Sequence, residues 1–222
     1  MTLKTIIVLS IGTCAMMVPI LILMRQYKTS LWKSIPTAVI LTVTGTLATY
    51  IWFLLENLQF GGRSFYGAVF LVPIAFIYIA KLLRIPHGEL MDFCAPAECV
   101  MLAIMKYQCL KDGCCGGRTL YTAVDGTAVI FPSQIAETTN AAIIMVILMV
   151  LARNEHNRGK IFPWYMLIYG VTRFVLNFFR AENDSFAFGL PAGNFWSIVA
   201  IAVGIVWLKR TKLKEQSDIT VG

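Results

Sequence analysis

Seven apolar runs recur along this chain of 222 residues, at about 5–24, 35–55, 65–83, 90–109, 133–152, 163–180 and 192–208. Each is near the ~20 residues that a helix needs to cross a bilayer core. Inside lipid, every backbone N–H and C=O must be satisfied within the segment, so runs of this kind fold as helices. Only 14% of the residues are charged, against about 25% in soluble domains, and mean hydropathy is +0.71. The expected fold is an all-α, polytopic integral membrane protein of about seven transmembrane helices, forming a single domain over residues 1–222. The first run is followed directly by Arg25 and Lys28, without a small-residue cleavage site, and is expected to stay as a helix. The fourth run is the weakest, because Asp92 and Glu98 interrupt it.

The net charge of +7 raises the question of nucleic acid, but its distribution points to membrane topology. One set of loops holds Arg25, Lys28 and Lys33, then Lys81 and Arg84, then Arg153, Arg158 and Lys160; the tail adds Lys209, Arg210, Lys212 and Lys214. The opposite set holds only Lys4, Arg63, Lys111, Arg118 and Arg180. The positive-inside rule therefore predicts an outer N-terminus and a cytoplasmic C-terminus, which an odd number of spans allows. No nucleic-acid partner is expected.

Within this frame the stretch Tyr169–Arg180, YGVTRFVLNFFR, stands out. Tyr169, Arg173 and Asn177 share one helical face at i, i+4 and i+8. An arginine at membrane depth costs about 2.5–3.5 kcal/mol on insertion scales, so it needs a partner, a cavity or a ligand. Arg180 suits snorkelling to the interface, whereas Arg173 lies roughly 10 Å deeper, at 1.5 Å per residue. Other polar residues fall at a similar level: Arg63, Ser64 and Tyr66; Lys106, Gln108 and Cys109; Gln134 and Glu137. Four helices thus supply polar groups to one outer-half region that is cationic in balance, with Arg63, Lys106, Arg118 and Arg173 against Glu137. Such a pocket suits a phosphate, which the arginine fork binds bidentately. An ion pair locking the helices together is the structural reading of the same residues.

Four stretches in this order resemble the prolipoprotein diacylglyceryl transferase family. Gly61–Ala68 (GGRSFYGA) resembles its GG-x-SFHGG segment, and Lys106–Arg118 (KYQCLKDGCCGGR) its signature ending in Gly-Arg. Phe131–Glu137 (FPSQIAE) is similar to its P-S/T-Q-L-Y-E, and Tyr169–Asp184 (YGVTRFVLNFFRAEND) to its YG-x-x-RF-x-x-E-F-x-R-x-x-D. The resemblance covers about residues 60–208. It implies a bacterial cytoplasmic-membrane enzyme with seven spans and no cofactor. Such an enzyme moves diacylglyceryl from phosphatidylglycerol to the lipobox cysteine of a preprolipoprotein and releases glycerol phosphate. Its implied catalytic residues here are Arg173, Tyr66 and Glu137. Those implied to bind phospholipid are Arg118, Lys106, Gly117, Gln134, Tyr169 and Asn177.

The chain departs from the family pattern at several of these positions. Tyr66 replaces the family histidine and Ala68 a glycine; Lys106 replaces an arginine, and Asn177 a glutamate. A tyrosine with pKa near 10 is a poorer base than a histidine near 6.5. The two histidines, His87 and His156, fall in loops assigned to the cytoplasm and are expected to be solvated. An altered or inactive homologue that binds phospholipid or lipoprotein is the alternative. A solute transporter is disfavoured, since no internal repeat is visible. Cys109, Cys114 and Cys115 have no nearby histidine and no C-x-x-C pair, so no metal is expected and free thiols in a glycine-rich turn are the default. A disulfide involving Cys109 stays open, since a link between adjacent cysteines is strained.

Overall fold

In the computed structural model, residues 3–122, 125–181 and 185–221 are described, with the side chains of 185, 212 and 214–221 outside the description. Lys212 and Lys214 of the basic tail, and Glu182–Asp184 at the end of the last motif, therefore lie outside the described side chains. The seven apolar runs fold as helices α1 (Leu3–Gln26), α2 (Ser34–Asn57), α3 (Tyr66–Leu83), α4 (His87–Asp112), α5 (Ser133–Leu151), α6 (Ile161–Asn177) and α7 (Ala192–Val221). Two short antiparallel hairpins interrupt the all-helical pattern. Thr119–Thr122 (β1) pairs with Ala128–Ile130 (β2), and Ser185–Ala187 (β3) with Leu190–Pro191 (β4).

Five segments are long and apolar enough to cross a membrane: α1, α2 extended to begin at Leu31, α3, α5, and α7 as far as Thr211. Their outer faces are apolar, with Ile11, Val18 and Ile22 on α1, Val43 and Leu47 on α2, and Ile143, Val146 and Val150 on α5 exposed. So much uncovered hydrocarbon suits lipid rather than water. The chain is an α-helical integral membrane protein.

Helix α4 differs because protein surrounds it. It packs against α1, α3, α5 and α6, and every residue from Leu90 to Cys99 is buried. A helix shielded from lipid can carry Asp92, Glu98 and Lys106, which explains the weak apolar signal of the fourth run. Asp92 performs a specific task at the end near Gln26. Its carboxylate accepts the Tyr27 hydroxyl at 2.9 Å and the backbone N–H groups of Gly159 and Ile161, the latter at 2.8 Å. It therefore caps the start of α6 from a neighbouring helix, satisfying donors that lack an intrahelical partner.

Helices α6 and α7 cross closely. A Cβ on Gly170 would stand 2.8 Å from Ile201 Cγ1 and 2.9 Å from the Ser197 carbonyl. Small residues that let backbones approach in this way replace the hydrophobic drive that lipid does not supply. His87 corrects the expectation of a solvated loop residue. It begins α4, its Nε2 lies 3.0 Å from the Pro73 carbonyl, and its ring stacks on Trp207. His156 is exposed, as expected.

Candidate active site: an ion cluster between three helices

The start of α5 faces the ends of α4 and α6, so residues distant in sequence meet at one end of the bundle. Glu137, one turn into α5, is the hub. Its Oε1 lies 2.9 Å from Nη1 of Arg173 and 2.9 Å from Nη1 of Arg180, and its Oε2 lies 2.7 Å from Nζ of Lys106. The Glu137 side chain is 6% exposed and the three cations 12–14% exposed, so water screens these contacts weakly. Three cations converge on this one carboxylate. Arg173 Nη1 touches Glu137 as an ion contact, without a directed hydrogen bond. The tyrosines Tyr66 and Tyr169 lie within electrostatic reach of the same guanidinium. Their own rings pack together with centroids 6.1 Å apart.

Arg180 was expected to snorkel, and the structure corrects this. Past the end of α6, its N–H donates to the Asn177 carbonyl at 3.2 Å, and this turn brings the guanidinium back to Glu137. The spacing from Arg173 was the available signal, since seven residues are close to two helical turns.

The connection between α4 and α5 closes over this end. Gln134 Nε2 donates to the Cys114 carbonyl at 2.6 Å, and Ser133 Oγ to the Cys115 carbonyl at 2.7 Å. The Arg118 N–H donates to the Phe179 carbonyl at 2.9 Å, and Gly117 forms a β-bridge with Arg180. A Cβ at Gly117 would stand 2.0 Å from the Phe131 carbonyl, so only glycine permits this approach. The Arg118 guanidinium is exposed and lies 5.5 Å from the centroid of the Phe179 ring.

Other expected site residues are engaged elsewhere. The Asn177 amide donates to Asn194 Oδ1, whose own amide donates to the Phe174 carbonyl at 3.2 Å; the pair is buried between α6 and α7. The Tyr66 hydroxyl donates to the Gly193 carbonyl at 2.8 Å and lies 2.6 Å from Ser197 Oγ. Asn194 and Ser197, which the sequence reading did not single out, thus define what these two residues touch. Arg63 is exposed over the Tyr50 ring at 4.7 Å. It borders a small cavity of about 30 Å³ shared with Phe65, Glu98, Met101 and Met105. Phe65 in turn packs on Tyr169 at 5.5 Å, so the cavity adjoins the wall of the cluster.

The loop also carries a perturbed thiol. A hydrogen bond with Cys109, aided by the charges of Lys106 and Arg180, holds Cys115 down to about 5 against partial burial. Cys115 adopts a left-handed backbone with φ of 58°.

A family model described as prolipoprotein diacylglyceryl transferase matches residues 7–210. Several proteins named phosphatidylglycerol–prolipoprotein diacylglyceryl transferase are similar to the chain. That of Geobacter sulfurreducens is 33% identical over 142 residues, covering 61% of this chain and 54% of the relative. That of Dehalococcoides mccartyi is 25% identical over 170 residues, covering 71% and 65%. That of Polaromonas naphthalenivorans is 29% identical over 163 residues, covering 67% and 59%. The matches thus span between about half and two thirds of these relatives. The family model runs through nearly the whole chain, including the segments that supply Lys106, Glu137, Arg173 and Arg180, and the chain belongs to the prolipoprotein diacylglyceryl transferase family.

Proposed function

We propose that this protein is a phosphatidylglycerol–prolipoprotein diacylglyceryl transferase of a bacterial cytoplasmic membrane. All seven helices would cross the bilayer, with the Glu137 end of the bundle in the outer half and the basic loops in the cytoplasm. The observation that carries the reading is the convergence of Lys106, Arg173 and Arg180 on Glu137, built from three elements and shielded from water. A cation-rich cluster of this kind favours a phosphate-bearing ligand, and arginine forks match phosphate oxygens.

The reaction joins the glyceryl carbon to a cysteine sulfur and breaks its bond to a phosphate oxygen. The acceptor thiol gives up its proton to water and attacks as a thiolate, while the departing phosphate oxygen takes the electron pair of the broken bond and leaves on glycerol phosphate. Arg173 and Arg180 are positioned to stabilise that charge as it grows. Glu137 holds the cations apart and in register before lipid arrives. Lys106 adds charge without a fork. Arg118, on the exposed side of the loop, would meet the headgroup first, and Gly117 and Gln134 fix that loop. Tyr66 and Tyr169 line the guanidinium of Arg173, where a hydroxyl can donate to a phosphate oxygen or a thiolate. Asn177 serves through Asn194 by keeping α6 in register with α7.

The preprolipoprotein would present its lipobox cysteine at the same end. The test is complementation of cells depleted of their own transferase, together with transfer from labelled phosphatidylglycerol to a lipobox peptide in vitro. Reporter lipidation in both assays is the expected result. Failure of both, with the protein correctly inserted, would refute the enzyme. Phosphatidylglycerol binding retained without transfer would instead identify a binding protein, a reading favoured by the Tyr66 hydroxyl being engaged with α7.

A further inference from the structure

Three thiols from two segments converge beside the ion cluster. The Sγ atoms of Cys109, Cys114 and Cys115 lie within 4.8 Å of one another. Cys109 lies in the last turn of α4, and the Cys114 N–H donates to its carbonyl at 3.1 Å, which closes the turn. The left-handed backbone of Cys115, costly for a residue with a Cβ, completes the reversal. Both carbonyls of the Cys114–Cys115 pair are fixed from α5, by Gln134 and Ser133. The sulfur positions are therefore set by helix packing rather than by a free loop, as a prearranged ligand set requires.

Three thiolates about 2.3 Å from a shared centre stand about 3.8–4.0 Å from one another, within the observed limit. Among the described residues, no histidine, aspartate, glutamate or fourth sulfur joins the grouping. A set of three soft sulfurs suits a soft monovalent ion better than zinc, which takes four ligands in structural sites. The negative charge of such a complex is offset by Lys106 and Arg180, both within electrostatic reach of Cys115. All three cysteines are free, and Cys114 is exposed, so an ion can enter.

We propose that Cys109, Cys114 and Cys115 form a three-thiolate site for one soft metal ion, with copper(I) the ion that matches their number and type. The site goes beyond the transferase reading and does not depend on it. The test uses the full chain in detergent, reduced and anaerobic, titrated with copper(I) against a chromophoric copper(I) chelator. One copper per chain is expected, with a thiolate-to-copper charge-transfer band in the ultraviolet. Peptide mapping after alkylation should show Cys109, Cys114 and Cys115 protected together. Replacing all three with serine should abolish binding, and Cys14→Ser should leave it intact. Ser133→Ala, which frees the Cys115 carbonyl, should weaken affinity by about 10–100-fold. Absence of binding against the chelator would overturn the proposal. So would binding that survives the triple replacement, protection of only two of the three thiols, or tighter retention of zinc than of copper(I). Should the triple variant fail to fold, the protection map of the native chain decides alone.

Discussion

Glu137→Gln tests the ion cluster most directly, because it removes one charge and almost no volume. Each contact of Glu137 with a cation spans 2.7–2.9 Å between atoms. With charge centres about 4 Å apart and an effective dielectric near 20, each pair is worth about 4 kcal/mol, so three sum to about 12 kcal/mol. Repulsion among Lys106, Arg173 and Arg180, and the desolvation of all four groups, cancels most of that. Removing one partner from a buried ion pair costs about 3–5 kcal/mol, since uncompensated charge is left behind. The variant is therefore expected to lose about 3–5 kcal/mol in neutral detergent, because Lys106, Arg173 and Arg180 lose their shared carboxylate. An anionic phospholipid at about 100 times its Kd returns about 2.7 kcal/mol to the wild type, and should return more to the variant. Thermal unfolding followed by tryptophan fluorescence, with phosphatidylglycerol or phosphatidylcholine added, measures both quantities. A loss below about 1 kcal/mol, or equal stabilisation of both proteins by phosphatidylglycerol, would refute an anion site centred on Glu137.

Four further outcomes are expected. Arg173→Ala should lower the rate of diacylglyceryl transfer by about 10²–10³, the usual cost of removing one donor to a developing oxyanion; labelled phosphatidylglycerol and a lipobox peptide provide the assay. Tyr66→Phe should cost about 1 kcal/mol of stability, through its lost hydrogen bond to Gly193, and should lower transfer at least tenfold if the hydroxyl acts beside Arg173. Asp92→Ala should destabilise by about 3–5 kcal/mol, because the N–H groups of Gly159 and Ile161 and the Tyr27 hydroxyl lose their shared acceptor; unfolding in denaturing detergent reads this. Cys115 should be alkylated by iodoacetamide at nearly constant rate from pH 8 down to about 6. Reactivity should then fall as pH drops through about 5, because a depressed pKa keeps the thiolate populated above that value. Loss of reactivity already near pH 8 would show an ordinary thiol.

The sequence by itself determined the number and positions of the helices, because runs of about 20 apolar residues leave the backbone no other way to satisfy itself in lipid. It also marked Arg173, because an arginine deep in an apolar helix carries a cost that demands a partner. Family motifs marked Glu137 and Gln134 as well. What it left open was which charges meet. Glu137 stands 31 residues from Lys106, 36 from Arg173 and 43 from Arg180, and only helix packing brings the four within contact. Arg180 was read as an interfacial residue because its depth along α6 was legible, while the turn after Asn177 that aims it inward was not. Asn177 shares a helical face with Arg173 and is implied by the family resemblance to bind phospholipid. Its side chain instead turns to Asn194 on α7, a helix whose angle to α6 depends on the close crossing at Gly170. Asp92, a defect in the apolar pattern of the fourth run, became the cap of α6 once α4 was surrounded by protein. Local periodicity fixes which face of a helix a residue occupies; what that face touches is decided by contacts between helices, which no single stretch of sequence contains.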